Sequence, residues 1–405
     1  MSASMPLRAS GHAQFQDGAA ALARARTFAP QLQARAKAAD ERRGLARETI
    51  DELLASGLFG IVTPKLFGGS ELGFADLVRI TAELASSCPS TGWVYGVLAG
   101  HSWLLNLFPA ETQHEILGNP EALTATVFRL AGEVTEEKGG YRLRNGDGRF
   151  CSGIDFAQWV IVGNAVKKAD GSVEPRFFVV PKSDIEVVDD WHTIGMRGTG
   201  SRSIRIADAF IPAHRSCSLS EMLSGASAGA ALHKKPIYRM PFGDLAPFSI
   251  IGAPLGMARG AANAFAKKLG ESLGKADALQ VAEQSARLAR FGEAAADIDA
   301  AFELVVADAA MIDNAPDPSA LAPIERARIP RDWAWAAQRC RYAVTSLFEA
   351  AGGTAIYEGD SAQRLWRDVN ASAQHFAFTW DTAMPGFGRA AAGLKPAAFA
   401  LRGKS

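Results

Sequence analysis

The spacing of apolar residues changes character twice along the chain. Near the start, Ile50, Leu53 and Leu54 recur at three- and four-residue intervals and stop at Gly57, as on an amphipathic helix with its terminator. Leu77, Ile80 and Leu84 repeat that spacing up to the break at Cys88-Pro89-Ser90, and the more apolar stretch Gly92 to Phe108 is predicted to be largely buried. From about residue 121 the runs become short and β-like. Asn145-Gly146 and Asp147-Gly148, between Tyr141-Arg142-Leu143 and Phe150, predict a tight reversal. Trp159 to Val162 and Phe177 to Val180 flank an Asp170-Gly171 turn, and Ile204 and Ile206 alternate with Arg205 as on a half-buried strand. Residues 216–243, rich in Ser, Gly and Ala, predict a mobile loop. Long helical patterns then return over about 245–269, 277–311, 324–351 and 361–375, which implies a four-helix bundle. The expected fold is α+β: a frayed tail 1–17, a helical domain 18–120, a small β-domain 121–215 (barrel or sandwich), the loop 216–243, and a bundle with its tail 244–405.

Composition narrows the function classes. Lys+Arg and Asp+Glu are equal at 43 each in 405 residues, so no net field recruits nucleic acid or an anionic membrane. No apolar run reaches the roughly 18 to 20 residues of a membrane helix, and the first residues have no signal-peptide core. Cys88, Cys151, Cys217 and Cys340 lie far apart without metal-ligand spacing, so no metal site is expected and a reduced, cytoplasmic protein is.

Helices, β-domain and bundle, in that order, resemble the acyl-CoA dehydrogenase superfamily. Local motifs agree: Gly57-Leu58-Phe59-Gly60-Ile61-Val62-Thr63-Pro64 with Gly68-Gly69; Ile194-Gly195-Met196-Arg197-Gly198-Thr199-Gly200-Ser201; Gly256 with Ala258-Arg259-Gly260-Ala261; and Gly352-Gly353-Thr354-Ala355-Ile356-Tyr357 followed by Arg367-Asp368. The resemblance implies a flavin, whose flat ring needs an apolar platform and whose polar edge needs a few placed hydrogen-bond groups. On residue type alone, Phe150 reads as a core aromatic and Ser152 as a turn residue. By the resemblance, Phe150 lies against the ring, Ser152 reaches N5, Thr126 meets the pyrimidine edge, and Trp159, Gly352 and Gly353 adjoin the cofactor, the two glycines near a neighbouring subunit's flavin. Arg239 is a candidate partner for flavin phosphate and Phe242 a gate of an aromatic pocket.

A dehydrogenase of this superfamily needs a carboxylate base, commonly a Glu about eight residues after the Arg-Asp pair. Here that position is near Phe376, with His375 beside it, and no Glu follows Glu358. The run Arg-Asp-x6-His-x4-Trp-Asp, followed by Gly386-Phe387-Gly388-Arg389, is instead similar to the oxygenase components of two-component flavin monooxygenases of the 4-hydroxyphenylacetate hydroxylase type. Thr91-Gly92-Trp93-Val94 with His101, and Ser152-Gly153-x-Asp155-x3-Trp159, extend the likeness; Phe156 departs from it, since many relatives carry His there. The resemblance implies hydroxylation of a phenol- or indole-type substrate by reduced FMN or FAD and oxygen, through a flavin C4a-hydroperoxide. His375 is then the base for the phenol proton, because imidazole is a neutral base near pH 7. His101 binds the substrate hydroxyl or tunes the oxygenated flavin, and Ser152 holds the N5 hydrogen. His114, His192, His214 and His233 read as surface or loop residues.

The glycines at 195, 198 and 200 do not give a dinucleotide-binding G-x-G-x-x-G, so reduced flavin is expected from a separate NAD(P)H-dependent reductase. A homotetramer is implied by the resemblance. The alternatives are an FAD-dependent acyl-CoA dehydrogenase, a flavin N- or S-oxygenase of the same fold, and a non-enzymatic helical scaffold.

Overall fold

The computed structural model describes residues 14–168, 170–274 and 276–394. Six helices come first: α1 (Gly18–Arg26), α2 (Ala29–Arg42), α3 (Arg47–Ala55), α4 (Phe74–Ser87), α5 (Pro89–Leu105) and α6 (Ala110–Leu117). Eight strands follow: β1 (Thr124–Val127), β2 (Ala131–Glu137), β3 (Gly140–Gly148), β4 (Trp159–Lys167), β5 (Val173–Pro181), β6 (Glu186–Val188), β7 (Ser203–Pro212) and β8 (Ser216–Ser218). The remaining helices are α7 (Leu219–Ser224), α8 (Phe242–Leu245), α9 (Phe248–Leu273), α10 (Ala278–Glu283), α11 (Ser285–Asp313), α12 (Pro323–Ala351), α13 (Ser361–Ser372) and α14 (Trp380–Ala391). Among the described residues, no helix is long and apolar enough to cross a membrane.

The Leu77, Ile80 and Leu84 stripe of α4 is buried, and α3 stops before Gly57, whose φ of +80° is left-handed. Helix α5 is buried almost along its whole length because both α4 and α9 pack against it. Two glycines set how close these helices come. A Cβ on Gly96 would lie 2.0 Å from the Ser249 carbonyl oxygen, and one on Gly256 would lie 2.1 Å from that of Ala82.

The strands form one sheet in the order β6-β7-β3-β2-β4-β5-β8, with β1 parallel to β4. The period-two alternation divides the side chains between two cores. Val160, Val162, Phe178 and Val180 fill the core of the β-domain, whereas Ile161, Phe177 and Val179 pack into the large helical core. Strand β1 obeys the same rule. Ala125 and Val127 enter the β-core, so Thr124 and Thr126 face the other way, toward α5.

Three expectations need correction. The chain does not reverse at Asn145–Gly148. Strand β3 runs through these residues, and the β2–β3 turn is at Lys138-Gly139, where Gly139 has φ +87°. The Asn-Gly signal marks an irregularity instead: Asn145 is at φ +54°, and the β2–β3 register shifts between Ala131 and Glu133. Residues 216–243 are not an irregular loop; they carry β8, α7 and short 3-10 turns, with Met222, Ile237, Tyr238 and Met240 buried. The last long helical pattern ends early, at Ser372, and a further helix, α14, follows; Arg331 of α12 lies 4.2 Å from its Phe387 ring.

Candidate active site

His101 points from the buried helix α5 at strand β1, with its Nδ1 2.7 Å from the Thr124 carbonyl oxygen. A carbonyl only accepts, so Nδ1 carries the proton and Nε2 keeps its lone pair. No hydrogen bond to Nε2 occurs among the described residues. Burial lowers the His101 pKa to about 4, so the ring is neutral near pH 7. The Thr126 hydroxyl lies 3.3 Å from the same Nδ1. Because that nitrogen's proton is committed to Thr124, the Thr126 hydroxyl remains free to donate elsewhere.

His101 lines a narrow, nearly filled cleft, whose other walls include Phe74, Trp103, Phe128, Phe242 and Ser249. No carboxylate lines it. Phe128, which the sequence reading did not single out, is central: its ring lies 5.8 Å from Phe242, 6.0 Å from Phe177 and 6.0 Å from Phe376. The alternation that turns Thr124 and Thr126 toward the helices continues to 128, and that was the available signal. On the opposite side of α5 a second, larger cleft, lined in part by Leu98, Ser102, Leu105 and Thr124, contains no charged residue.

His375 is not helical. It is the N-cap of a 3-10 turn (Phe376–Phe378) after α13, and its Nδ1 accepts the Ala377 N–H at 3.3 Å. Its neutral form therefore carries the proton on Nε2, the tautomer opposite to that of His101. The ring sits among Trp93 (5.7 Å), Phe376 (4.4 Å) and Phe378 (5.6 Å), and this apolar packing lowers its pKa to about 4. Through Phe376 and Phe128, one continuous aromatic wall joins His375 to the His101 cleft.

Trp93 connects His375 to Ser152. Its ring packs at a steep angle against that of His375, and its Nε1–H donates to the Ser152 hydroxyl at 3.1 Å. Ser152 is also 2.7 Å from Ser201, and Ser201 is 2.7 Å from Thr199. Two residues before Ser152, Phe150 has φ +66° and is 69% exposed, with its ring edge-on to Trp191 at 6.0 Å. A non-glycine residue in left-handed backbone costs conformational energy, and here the turn stands the ring out of the surface instead of into the core. The turn at Gly195-Met196 is held from the bundle: Met196 N–H donates to the buried Asp368 carboxylate at 2.6 Å, and Arg367 to the Ile194 carbonyl at 2.7 Å. Burial pushes the Asp368 carboxyl up to about 7.

His101, Thr126, Phe242, His375, Ser152 and Phe150 thus share one region or its direct neighbours. Trp159 opens β4 opposite Thr124, with the Arg215 guanidinium 4.8 Å from its ring. Arg239 is exposed, and its described hydrogen bond is local, to the His233 carbonyl at 3.3 Å. Gly352 and Gly353 form an open turn after α12, with nothing within 4 Å of a Cβ at either. His233, read as a surface or loop residue, is buried, and its ring bonds Gln113 at 2.8 Å.

Comparison with known proteins identifies the family. Residues 12–117 match the acyl-CoA dehydrogenase N-terminal domain and residues 249–380 its C-terminal domain. The chain is 35% identical over 392 residues to the flavin-dependent monooxygenase oxygenase subunit HsaA of Mycobacterium tuberculosis, covering 95% of this chain and 98% of the relative. It is 32% identical to the oxygenase component of an FADH2-dependent resorcinol hydroxylase of a Rhizobium strain, covering 89% of this chain and 91% of that one. The crystal structure of the M. tuberculosis HsaA monooxygenase superposes with a TM-score of 0.87 at 33% identity, covering 94% of this chain and 99% of that one. The chain belongs to the acyl-CoA dehydrogenase family and, within it, to the oxygenase subunits of flavin-dependent monooxygenases.

Proposed function

We propose that this chain is the oxygenase component of a two-component monooxygenase that uses reduced flavin and oxygen to hydroxylate a small phenol-type aromatic. The observation that carries the substrate class is His101: a neutral imidazole whose Nε2 lone pair is free, in an aromatic-walled cleft without a carboxylate. A phenol would place its ring against Phe128 and Phe242 and its hydroxyl on Nε2, which requires the closely packed side chains of the cleft to part. An acyl-CoA dehydrogenase would need a carboxylate base there, and a nitrogen or sulfur centre brings no hydroxyl proton to be taken.

The residues fit a flavin. Phe150 offers an outward aromatic face, Ser152 a hydroxyl two residues away, and Thr126 an uncommitted donor. Phe150 would support the ring, Ser152 would meet N5 and Thr126 the pyrimidine edge. Reduced flavin, FMN or FAD, supplies when bound the electrons that divide dioxygen between product and water. The rest is done by the chain. His101 accepts the phenol proton at Nε2, which raises electron density on the ring to be oxygenated. The charge pair so formed offsets the burial that otherwise keeps His101 neutral. Phe74, Trp103, Phe128 and Phe242 exclude water from that pair. The sequence reading gave the base role to His375; its Nδ1 is occupied by Ala377 N–H, so it is better suited to donate from Nε2 on the flavin side, near Trp93 and Ser152.

The glycines of the 195–200 run form a left-handed and 3-10 turn, not a strand-to-helix phosphate loop, which supports delivery of reduced flavin by a separate NAD(P)H-dependent reductase. Ile194, Ile356 and Tyr357, each about 70% exposed, are apolar surfaces suited to neighbouring subunits, in keeping with a homotetramer. We place the protein in the cytoplasm. The test is to supply NADH, flavin, oxygen and phenols to the purified chain with and without a general flavin reductase. Hydroxylated product is expected only with the reductase. Rapid NADH oxidation by the chain alone would overturn the two-component reading.

A further inference from the structure

Ser152 and the two buried hydroxyls behind it, Ser201 and Thr199, form a chain whose direction is fixed. The Thr199 hydroxyl donates to the Met196 carbonyl oxygen at 2.8 Å, an acceptor only. Its proton is thereby committed, so in the 2.7 Å contact between Thr199 and Ser201 the donor is Ser201. In the next 2.7 Å contact, between Ser201 and Ser152, the donor is then Ser152. The reverse order would leave Thr199 oxygen facing a carbonyl oxygen at 2.8 Å with no proton between them. Trp93 Nε1–H, which can only donate, already points at the Ser152 oxygen from the other side at 3.1 Å. All three hydroxyls are nearly inaccessible to water that might re-supply protons, with exposures of 2% for Thr199, 3% for Ser201 and 9% for Ser152.

The terminal carbonyl is itself pinned. Met196 has φ +58°, its N–H is bound by Asp368, and its oxygen also takes the Trp191 Nε1–H at 3.0 Å. Ser152 therefore has no proton left to offer and presents only a lone pair.

We infer that Thr199 and Ser201 are positioning residues that make Ser152 an obligate acceptor, and so set the binding site to prefer reduced over oxidised flavin. This rests on the proposed placement of Ser152 at N5. Reduced flavin carries a hydrogen on N5 and satisfies the Ser152 lone pair. Oxidised flavin presents a lone pair at N5, and the two oppose each other. The protein thus takes up the electron-loaded cofactor and releases the spent one, with the discrimination exerted at Ser152 and set by Ser201, Thr199 and Met196 behind it.

The test is equilibrium binding, independent of turnover. Dissociation constants for oxidised and anaerobically reduced FMN and FAD are measured for the wild type, Ser201→Ala, Thr199→Val and Ser152→Ala, and the oxidised-to-reduced ratio is compared. Either Ser201→Ala or Thr199→Val lets the Ser152 proton turn toward N5, so the ratio is expected to fall about tenfold, one hydrogen bond's worth. The midpoint potential of the bound flavin should drop correspondingly by about 30 mV. Loosened packing would weaken both redox states alike and leave the ratio unmoved, and that outcome overturns the inference. If Ser152→Ala collapses the ratio but the other two variants do not, the hydroxyl chain is refuted while Ser152 at N5 stands. If none of the three moves it, Ser152 does not meet N5 and the placement fails with it.

Discussion

Replacing His101 with alanine separates the proposed base from the rest of the site. The ring's one described hydrogen bond to the backbone, 2.7 Å to the Thr124 carbonyl, is lost, and a buried carbonyl is left without a partner. That costs about 1–3 kcal/mol of stability, within the usual margin of a folded protein. The chemical cost is larger. A positioned general base contributes about 10²–10⁴-fold, so the hydroxylation barrier should rise by roughly 2.7–5.5 kcal/mol. Reduced flavin would still consume oxygen, because Phe150, Ser152 and Trp93 are untouched, and its electrons should appear as hydrogen peroxide. The assay follows hydroxylated product and peroxide per reduced flavin in single turnovers. A second phenol, acidic enough to be ionised at the assay pH, supplies the control: it needs no base, so His101→Ala should recover most of its yield with that substrate. Unchanged yield with the ordinary phenol, or equal failure with the ionised one, would refute the base assignment.

Three further outcomes follow from the same structure. Burial holds the His101 pKa near 4, so product yield with wild type should stay level through pH 6.5, where a solvated histidine would titrate, and should fall only as the pH approaches 4; a step near 6.5 in single-turnover yield would contradict this. Burial raises the Asp368 carboxyl to about 7, above its unfolded value, so ionising it costs stability as pH rises from about 4 to about 7. Asp368→Asn should therefore remove a destabilising slope across that window in urea midpoints measured against pH, and an identical slope in the variant would count against it. Gly256→Ala should cost about 1–3 kcal/mol in urea unfolding, since its Cβ would sit 2.1 Å from the Ala82 carbonyl oxygen. Gly292→Ala, exposed within α11 with nothing within 4 Å, should gain about 0.5–1 kcal/mol, and equal effects at the two sites would show that the helix crossing is not tight there.

The order of elements was legible because each carried its own period: Leu77, Ile80 and Leu84 for α4, and Ile204 and Ile206 around Arg205 for β7. The Asn145-Gly146 turn was misread because Asn-Gly reports left-handed backbone, which a bulge and a hairpin use alike. Helix α14 was not predicted: Pro385, Gly386 and Gly388 give it weak helix propensity, and packing on α12 holds it helical. His101, Ser152 and His375 could be named from the resemblance. The His101 tautomer and the Ser152 donor direction could not, since they depend on Thr124 and Ser201, 23 and 49 residues away; that of His375 rests on the nearby Ala377 N–H, but only through the 3-10 turn that aims it. Phe128 was within reach through the β1 alternation, but nothing in its immediate neighbours marked it.

The most direct measurement mixes the anaerobic chain, carrying reduced FMN or FAD, with ¹⁸O₂ and a panel of phenols and indoles, and reads the products by mass spectrometry. The account predicts a hydroxylated phenol carrying one ¹⁸O atom, formed without any nicotinamide present. Quantitative peroxide with no labelled product across the panel, together with bleaching of oxidised FAD by an acyl-CoA, would contradict it and identify a dehydrogenase instead.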